Sequence, residues 1–186
     1  MGTARERLLD AASTRFYEDG VNATGIDAIT AEAGVAKKSL YNNFRSKSDL
    51  VSAYIDARHE EWLDLHRARA SSAATSVERV LSVFDAYLDH ANADHGGGFR
   101  GCGLLNTAAE FPAGAPERDA VRLHKEQVEQ ILAEGLAELT DADGAQELAE
   151  HFSYLLEGAV ARAGLEGDPV RLERARGIAA SMLGAL

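Results

Sequence analysis

Basic side chains are concentrated in one short window of the chain, residues 33–48. The window holds four basic residues and no acidic one: Lys37, Lys38, Arg45 and Lys47. The whole chain of 186 residues is acidic, with a formal net charge of −11. A local basic patch on an acidic protein indicates an anionic partner that meets one face only, although a solvated surface patch explains the charge equally well.

The same window contains a short amphipathic segment, residues 37–45. On a helical wheel, Leu40 and Phe44 lie on one side, whereas Lys38 and Asn42 lie nearly opposite. A helix of this size fits the DNA major groove, where lysine and asparagine side chains donate hydrogen bonds to base edges. The segment therefore has the composition of a recognition helix.

Two preceding elements would position this recognition segment. A capping-box signature, Thr3 and Glu6, predicts a first helix that ends near Gly20. Apolar residues at helical spacing predict a second helix over residues 26–33, followed by a tight turn at Gly34. The second helix, the turn and the recognition segment have helix-turn-helix spacing, with a helical hairpin of another kind as the alternative.

The rest of the chain also has helical periodicity and no alternating pattern of a half-buried strand, so the predicted fold class is all-α. The predicted helices cover residues 46–70, 77–88, 102–110, 121–139, 148–163 and 169–183. A loop around Gly96 to Gly98 ends the helix over 77–88. Asp168 and Pro169 are predicted as the N-cap and first residue of the last helix.

The stretch from Arg7 to Leu50, RLLDAASTRFYEDGVNATGIDAITAEAGVAKKSLYNNFRSKSDL, resembles the DNA-binding domain of the tetracycline-repressor (TetR) family of transcriptional regulators. The agreement lies, at fixed spacing, in Ala12, Phe16, Gly20, Thr24, Ile26, Ile29, Ala33-Gly34-Val35, Leu40-Tyr41, Phe44 and Ser46-Lys47. The resemblance implies a helix-turn-helix DNA-binding domain over residues 1–48. It further implies a helical domain over residues 49–186 that binds an effector and forms dimers.

The resemblance also implies which residues contact DNA. Phosphate contacts are implied for Thr24, Lys37, Ser39, Tyr41 and Lys47, and base contacts for Lys38, Asn42 and Asn43. The family often has a second Thr or Ser where this chain has Gly25, so that contact falls to Thr24 or to a backbone amide. For Tyr41 the alternative is packing between helices, and for Lys47 it is a solvated helix start.

The family uses its second domain to dimerise and to bind a small molecule. The last two helices combine apolar faces with small residues, namely Gly158, Ala159, Ala163, Gly177, Ala179, Ala180 and Gly184. Such faces predict a two-fold four-helix interface between two protomers, with completion of a monomer core as the alternative.

An effector pocket is predicted between the helices that follow residue 46. Its candidate residues are Trp62, His66, Phe84, Tyr87, Leu105, Asn106, Glu110, His124, Val128 and Phe152. This mixture suits an apolar ligand that a few polar groups orient. A satisfied core histidine is the alternative for His124, and simple packing is the alternative to oxidant sensing for Cys102.

Other classes of protein find less support in the sequence. Residues 96–101 match G-x-G-x-x-G, but they follow a helix instead of a strand, and residues 59–63 lack the second histidine of H-E-x-x-H. The pairs His90 with His95 and His59 with His66 lack the helical spacing of metal ligands. We therefore predict no enzyme activity, no cofactor and no metal site.

Location is predicted from what the chain lacks. Its longest stretch without a charged residue or histidine runs from Gly177 to Leu186, short of the ~18 apolar residues of a membrane span. Seven charged residues interrupt the first twenty positions, where a signal peptide needs an apolar run, and Cys102 is the single cysteine. These features predict a cytoplasmic protein that does not bind membranes.

Together these observations predict a ligand-responsive repressor that binds a palindromic DNA operator as a homodimer. An effector would shift the protein toward a conformer that no longer matches the operator, through the helix over residues 46–70. A helical small-molecule carrier or an enzyme, each without DNA binding, are the alternatives.

Overall fold

The computed structural model describes residues 2–93 and 98–186, and all regular structure within these ranges is helical. The helices are α1 (Ala4–Glu18), α2 (Ile26–Glu32), α3 (Lys37–Asn43), α4 (Lys47–Ser71), α5 (Ser76–Asn92), α6 (Gly103–Ala109), α7 (Pro116–Leu136), α8 (Ala142–Glu166) and α9 (Val170–Leu183). The predicted all-α class is confirmed. The predicted loop at Gly96, the start of the G-x-G-x-x-G match and His95 lie outside the described residues.

The N-terminal helices begin and end where their capping residues predict. Thr3 accepts a hydrogen bond from the Glu6 amide at 3.2 Å, and the Glu6 carboxylate accepts one from the Thr3 amide at 2.7 Å. Gly20 and Gly34 both have positive φ, at 92° and 61°, which glycine adopts without a Cβ clash. α1, α2 and α3 pack against one another, as the helix-turn-helix prediction requires.

The chain divides into two compact units. The first unit comprises the chain up to His59 together with Gly103–Val121, and the second unit comprises Glu60–Cys102 and Arg122–Leu186. α6 therefore packs with the N-terminal helices, although it lies far from them in the sequence. The functional boundary predicted at residue 48 stays a prediction.

The core of the second unit is formed by side chains of α5, α7, α8 and α9. Phe84 and Phe152 are completely buried there, and their rings meet edge to face with centroids 6.0 Å apart. α9 begins at Val170, one residue later than predicted, and Pro169 takes the N-cap position. Asp168 still accepts a hydrogen bond from the Val170 amide at 3.0 Å, so the predicted cap is displaced by one residue only.

No helix in the described part of the chain combines the length and apolar character that crossing a bilayer requires.

Candidate nucleic-acid interface

α3 has one buried side and one exposed side. Leu40 is completely buried, and Phe44, directly after the helix, is 2% exposed. Lys38, Tyr41 and Asn42 are exposed, and the exposed fraction of Tyr41 is 51%. This geometry matches the helical wheel, and it contradicts the interpretation of Tyr41 as a residue that packs between helices. The exposed face offers a cation, a phenol and an amide in one cluster, which suits recognition of base edges and phosphates.

The fold adds an acidic residue to the basic window. Asp27, in the first turn of α2, forms an ion pair with Lys37 at the start of α3, with an oxygen–nitrogen distance of 2.8 Å. The hydrogen bond to Asp27, together with its negative charge, raises the pKa of Lys37. Residues 33–48 contain no acid in sequence, yet one stands beside them in space. A phosphate that approaches Lys37 therefore meets an ammonium group that already has one anionic partner.

Two of the predicted DNA contacts bond to carbonyl groups of their own backbone. Thr24 is only 3% exposed, and its hydroxyl donates to the Gly20 carbonyl at 2.6 Å. The Asn43 side-chain amide is half-buried and donates to the Ser39 carbonyl, one turn earlier, at 2.8 Å. Both side chains thus bond to the backbone of their own element. Gly25 is exposed as the N-cap residue of α2, where no side chain caps the helix.

Lys47 has a structural partner that the sequence does not reveal. Its ammonium group donates to the Val21 carbonyl at 2.6 Å, which ties the start of α4 to the turn after α1. The interpretation of Lys47 as a solvated helix start is therefore wrong. An ammonium group carries three donors, so a phosphate contact is compatible with this bond.

Three of the ten predicted pocket residues lie in the first unit, apart from the other seven. Leu105 and Asn106 are exposed on α6. Glu110, directly after α6, accepts hydrogen bonds from the amides of Val21 and Asn22, each at 2.6 Å. These three residues belong to a different compact unit from the aromatic residues, and their part in an effector pocket stays a prediction. Their sequence spacing fits a shared helix face but carries no information on which unit that helix joins.

The second unit brings together an aromatic cluster from the remaining candidates. The Trp62 ring stacks on the His66 ring, with ring centroids 5.5 Å apart. The centroid of the Tyr87 ring also lies 5.5 Å from that of Trp62, and the His124 ring meets Trp62 edge to face with centroids 5.6 Å apart. Trp62 is 5% exposed, and its buried indole nitrogen has no hydrogen-bond partner among the described residues. Burial, and secondarily the charge of Arg67, lowers the pKa of His66, so His66 is neutral near pH 7. Val128, Phe84 and Phe152 belong to the adjoining hydrophobic core.

A partly buried ion pair beside this cluster was not predicted from the sequence. Lys125 donates to the Tyr87 hydroxyl at 3.0 Å and pairs with Glu157 at 2.7 Å. Burial alone would lower the pKa of Lys125, but the acidic groups of Cys102, Tyr87 and Glu157 outweigh it and raise that pKa well above its ordinary value. Burial also raises the pKa of Tyr87. The sequence does contain one sign of this pair: Lys125 stands four residues after Val121, which places it on the apolar face of α7.

Comparison with known families agrees with this architecture in both halves of the chain. Residues 8–54 match the family of bacterial regulatory proteins named after tetR. Residues 76–179 match the tetracyclin repressor-like C-terminal domain. The first match contains α2 and α3 entirely, and the second covers more than half of the chain.

Known relatives agree with these family matches. A TetR-family transcriptional regulator from Streptomyces coelicolor superimposes with a TM-score of 0.88 at 33% identity, over 98% of this chain and 95% of that one. The transcriptional regulator AcuR of Cereibacter sphaeroides is 29% identical over 174 residues, 89% of this chain and 78% of AcuR. The regulator TtgR of Pseudomonas putida is 36% identical over 74 residues, so the match spans 40% of this chain and only 34% of TtgR. The two matched domains and the shared fold show that this chain belongs to the tetR family of bacterial regulatory proteins.

Proposed function

We propose that this protein is a transcriptional repressor that binds an operator through α3 and releases it when a small molecule binds the second unit. The observation that carries the proposal is the two-sided α3, whose apolar side is buried and whose Lys38, Tyr41 and Asn42 are exposed. An exposed cluster of donors on a helix held by its apolar side is what major-groove recognition requires.

Lys38 and Asn42 are the residues we assign to base edges. Phosphate contacts are assigned to the backbone amide of Gly25 and to the side chains of Lys37, Ser39, Tyr41 and Lys47. The exposed face of α3 supports the assignments to Lys38 and Asn42. The bonds of Thr24 and Asn43 to their own backbone remove these two side chains from the proposed interface.

We infer that two protomers associate through α8 and α9 and so read a palindromic operator. Large apolar side chains are exposed on these helices: Tyr154 by 64%, Leu165 by 82% and Ile178 by 50%. A Cβ atom placed on Gly158 or Gly177 would meet no other atom within 4 Å, so these positions leave room for a second helix to approach. A two-fold axis at this surface would present two recognition helices to successive major grooves.

The proposed effector site is the aromatic cluster around Trp62, with Lys125 and Glu157 beside it. The buried indole nitrogen of Trp62 supports this choice, because a buried donor without a partner is available to an acceptor on a ligand. An apolar molecule with one hydrogen-bond acceptor fits the character of the cluster. Binding there would favour the conformer that releases DNA. The proposal places the protein in the cytoplasm, where its operator is, and includes no catalytic residue, cofactor or metal.

The experiment that tests the proposal is fluorescence anisotropy on labelled duplex from the upstream region of the protein's own gene. A scrambled duplex serves as competitor, several salt concentrations are used, and light scattering gives the mass of the free protein. We expect a dimer that prefers the upstream duplex, with affinity that falls steeply as salt rises. A monomer, or equal affinity for both duplexes at every salt concentration, would contradict the proposal.

A further inference from the structure

The first unit is held together by a segment that the chain inserts between the two stretches of the second unit. This segment, Gly103–Val121, contains α6 and the start of α7 and belongs to the first unit. It returns to the N-terminal helices at three positions: Gly103, Glu110 and Glu117. Each position makes a specific close approach, so the packing of the segment is not a diffuse apolar contact.

Glu110 makes the most polar of these approaches, and we call its bonds to the turn after α1 the Glu110 latch. One carboxylate oxygen accepts from the Val21 amide and the other from the Asn22 amide, each at 2.6 Å. The side-chain amide of Asn22 donates back to the Glu110 carbonyl at 3.2 Å. Three hydrogen bonds thus join one residue to two consecutive residues about ninety positions earlier, and two of them are charge-assisted.

The turn after α1 leaves room for the Glu110 carboxylate because Gly20 has no side chain. Gly20 has a φ of 92°, and a Cβ atom there would lie 2.9 Å from a Glu110 carboxylate oxygen. Any side chain at position 20 would therefore clash with the latch in addition to straining the backbone. Val21 is 2% exposed, so its amide needs a partner inside the protein.

The same turn connects to residues assigned to DNA. The carbonyl of Val21 accepts a hydrogen bond from the Lys47 ammonium at 2.6 Å. Glu110 therefore binds the amide of Val21, and Lys47 binds its carbonyl. Four residues further along the chain, Gly25 is the N-cap of α2. A shift of the turn would therefore move both Lys47 and the start of the helix-turn-helix.

The other contacts of the segment fix the position from which Glu110 reaches the turn. A Cβ atom on Gly103 would lie 2.9 Å from the Tyr54 hydroxyl and 3.1 Å from the Tyr17 ring, so α6 starts in close contact with both tyrosines. Glu117, only 8% exposed, accepts from the Ser48 hydroxyl at 3.0 Å. Displacement of α6 would withdraw the carboxylate of Glu110 from the turn.

We propose that Glu110 is a positioning residue for DNA recognition, which holds the turn before α2 in the geometry that operator binding requires. The inference rests on the proposed function, since it concerns affinity for an operator. Its structural basis is independent of any ligand.

The test compares Glu110→Gln with Glu147→Gln, a matched loss of one charge at an exposed position of α8. Hydrogen exchange is measured at the Val21 and Asn22 amides, and anisotropy gives the affinity for operator duplex. In Glu110→Gln we expect exchange at both amides to be faster by about tenfold and operator affinity to be weaker by about tenfold. Glu147→Gln should leave the exchange of both amides unchanged and should not weaken operator binding.

The sign of the affinity change separates positioning from simple electrostatics. Removal of a negative charge from a DNA-binding protein strengthens its attraction to the polyanion, whereas loss of a positioning residue weakens binding. Unchanged exchange at Val21 and Asn22 in Glu110→Gln would overturn the inference, and so would faster exchange with unchanged or tighter operator binding. If the wild-type protein prefers no operator, the proposed function and the inference that rests on it both fail. If the wild-type protein prefers an operator and Glu110→Gln binds that operator equally well, only the inference about Glu110 fails.

A second variant tests the role of α6 without altering Glu110. Gly103→Ala adds a methyl group against Tyr54 and Tyr17 at the far end of the helix. We expect the Val21 and Asn22 amides to exchange faster in this variant also, while far-ultraviolet circular dichroism confirms that the protein is folded. Exchange at wild-type rates in a folded Gly103→Ala protein would show that the position of α6 does not control the turn.

Discussion

The two units of this protein use polar side chains in opposite ways. In the first unit, the residues assigned to DNA lie on an exposed helix face, and polar bonds such as the Glu110 latch secure turns behind that face. In the second unit, Lys125, Glu157 and Tyr87 bond to one another beside a buried aromatic cluster. A surface that reads DNA can be organised by a single short helix, whereas an interior site depends on which helices meet. The first is therefore visible in a sequence pattern, whereas the polar partners inside the second are not.

The strongest expected effect concerns the packed core of the second unit. Phe152→Ala removes a completely buried ring that packs against Phe84, and we expect the free energy of unfolding to fall by about 3–5 kcal/mol. Denaturant unfolding followed by circular dichroism measures this loss. Gln146→Ala, at an exposed position of the same helix, is the matched control and should cost less than about 1 kcal/mol. Equal losses for the two variants would mean that α8 is buried on a different side.

A smaller effect is expected from the ion pair beside the aromatic cluster. Lys125→Met leaves Glu157 without its partner, and we expect a loss of stability of about 2–3 kcal/mol, because both side chains retain some exposure. The double variant Lys125→Met with Glu157→Gln should recover most of that loss, since no unpaired charge remains. A double variant no more stable than Lys125→Met would show that the two charges are not coupled.

The pH dependence of this loss follows from the raised pKa of Lys125. The ion pair contributes fully below the ordinary lysine pKa of 10.5, and its contribution is lost only as the pH rises through the higher pKa of the folded state. The difference in stability between wild-type protein and Lys125→Met should therefore be constant through neutral pH and shrink in strong alkali. Denaturant unfolding across that range measures it.

The turn at the Glu110 latch provides an intermediate effect with a close control. Gly20→Ala combines an unfavourable positive φ with a clash against Glu110, whereas Gly114→Ala has a positive φ of 81° and nothing within 4 Å of the new methyl group. We expect a loss of about 1–2 kcal/mol for Gly114→Ala and about 1 kcal/mol more for Gly20→Ala. Thermal unfolding with operator anisotropy checks both. Operator affinity should fall in Gly20→Ala alone, and a fall in both variants would point to backbone strain instead of the latch.

The difference between the units also decided what the sequence could predict. Helix starts were predictable because caps are local, as with Thr3, and the exposed face of α3 followed from spacing alone. Glu110 was assigned to a ligand pocket because its partners, Val21 and Asn22, are distant in sequence and contribute backbone amides, which any residue type supplies. The bonds of Thr24 and Asn43 to nearby carbonyls could not be predicted for a related reason, because such bonds leave no trace in residue type. The aromatic cluster around Trp62 was identified, but its neighbour Lys125 was not, because a lysine on an apolar stripe is usually exposed.

The smallest effect is expected at an exposed ion-pair network between α8 and α9. Arg171 and then Arg162 hold the pKa of Glu166 down to about 2, from an ordinary value of 4.5, through hydrogen bonds and charge. In Arg171→Gln we expect the pKa of Glu166 to rise toward 4.5, measured by carboxyl-carbon NMR titration. Any stability from this pair is present above pH 4.5 and is lost as the pH falls toward 2. Arg174→Gln, at an exposed position of the same helix, should leave that pKa unchanged.

The most direct test of DNA reading by α3 is selection of binding sites from a pool of random duplexes. Wild-type protein and Asn42→Ala are compared at the same salt concentration. We expect the wild-type protein to enrich a two-fold symmetric sequence, and Asn42→Ala to enrich the same sequence with preference relaxed at one position in each half, by about 1–3 kcal/mol. Enrichment of no sequence by the wild-type protein, or an identical preference in Asn42→Ala, would contradict recognition of DNA bases through the exposed face of α3.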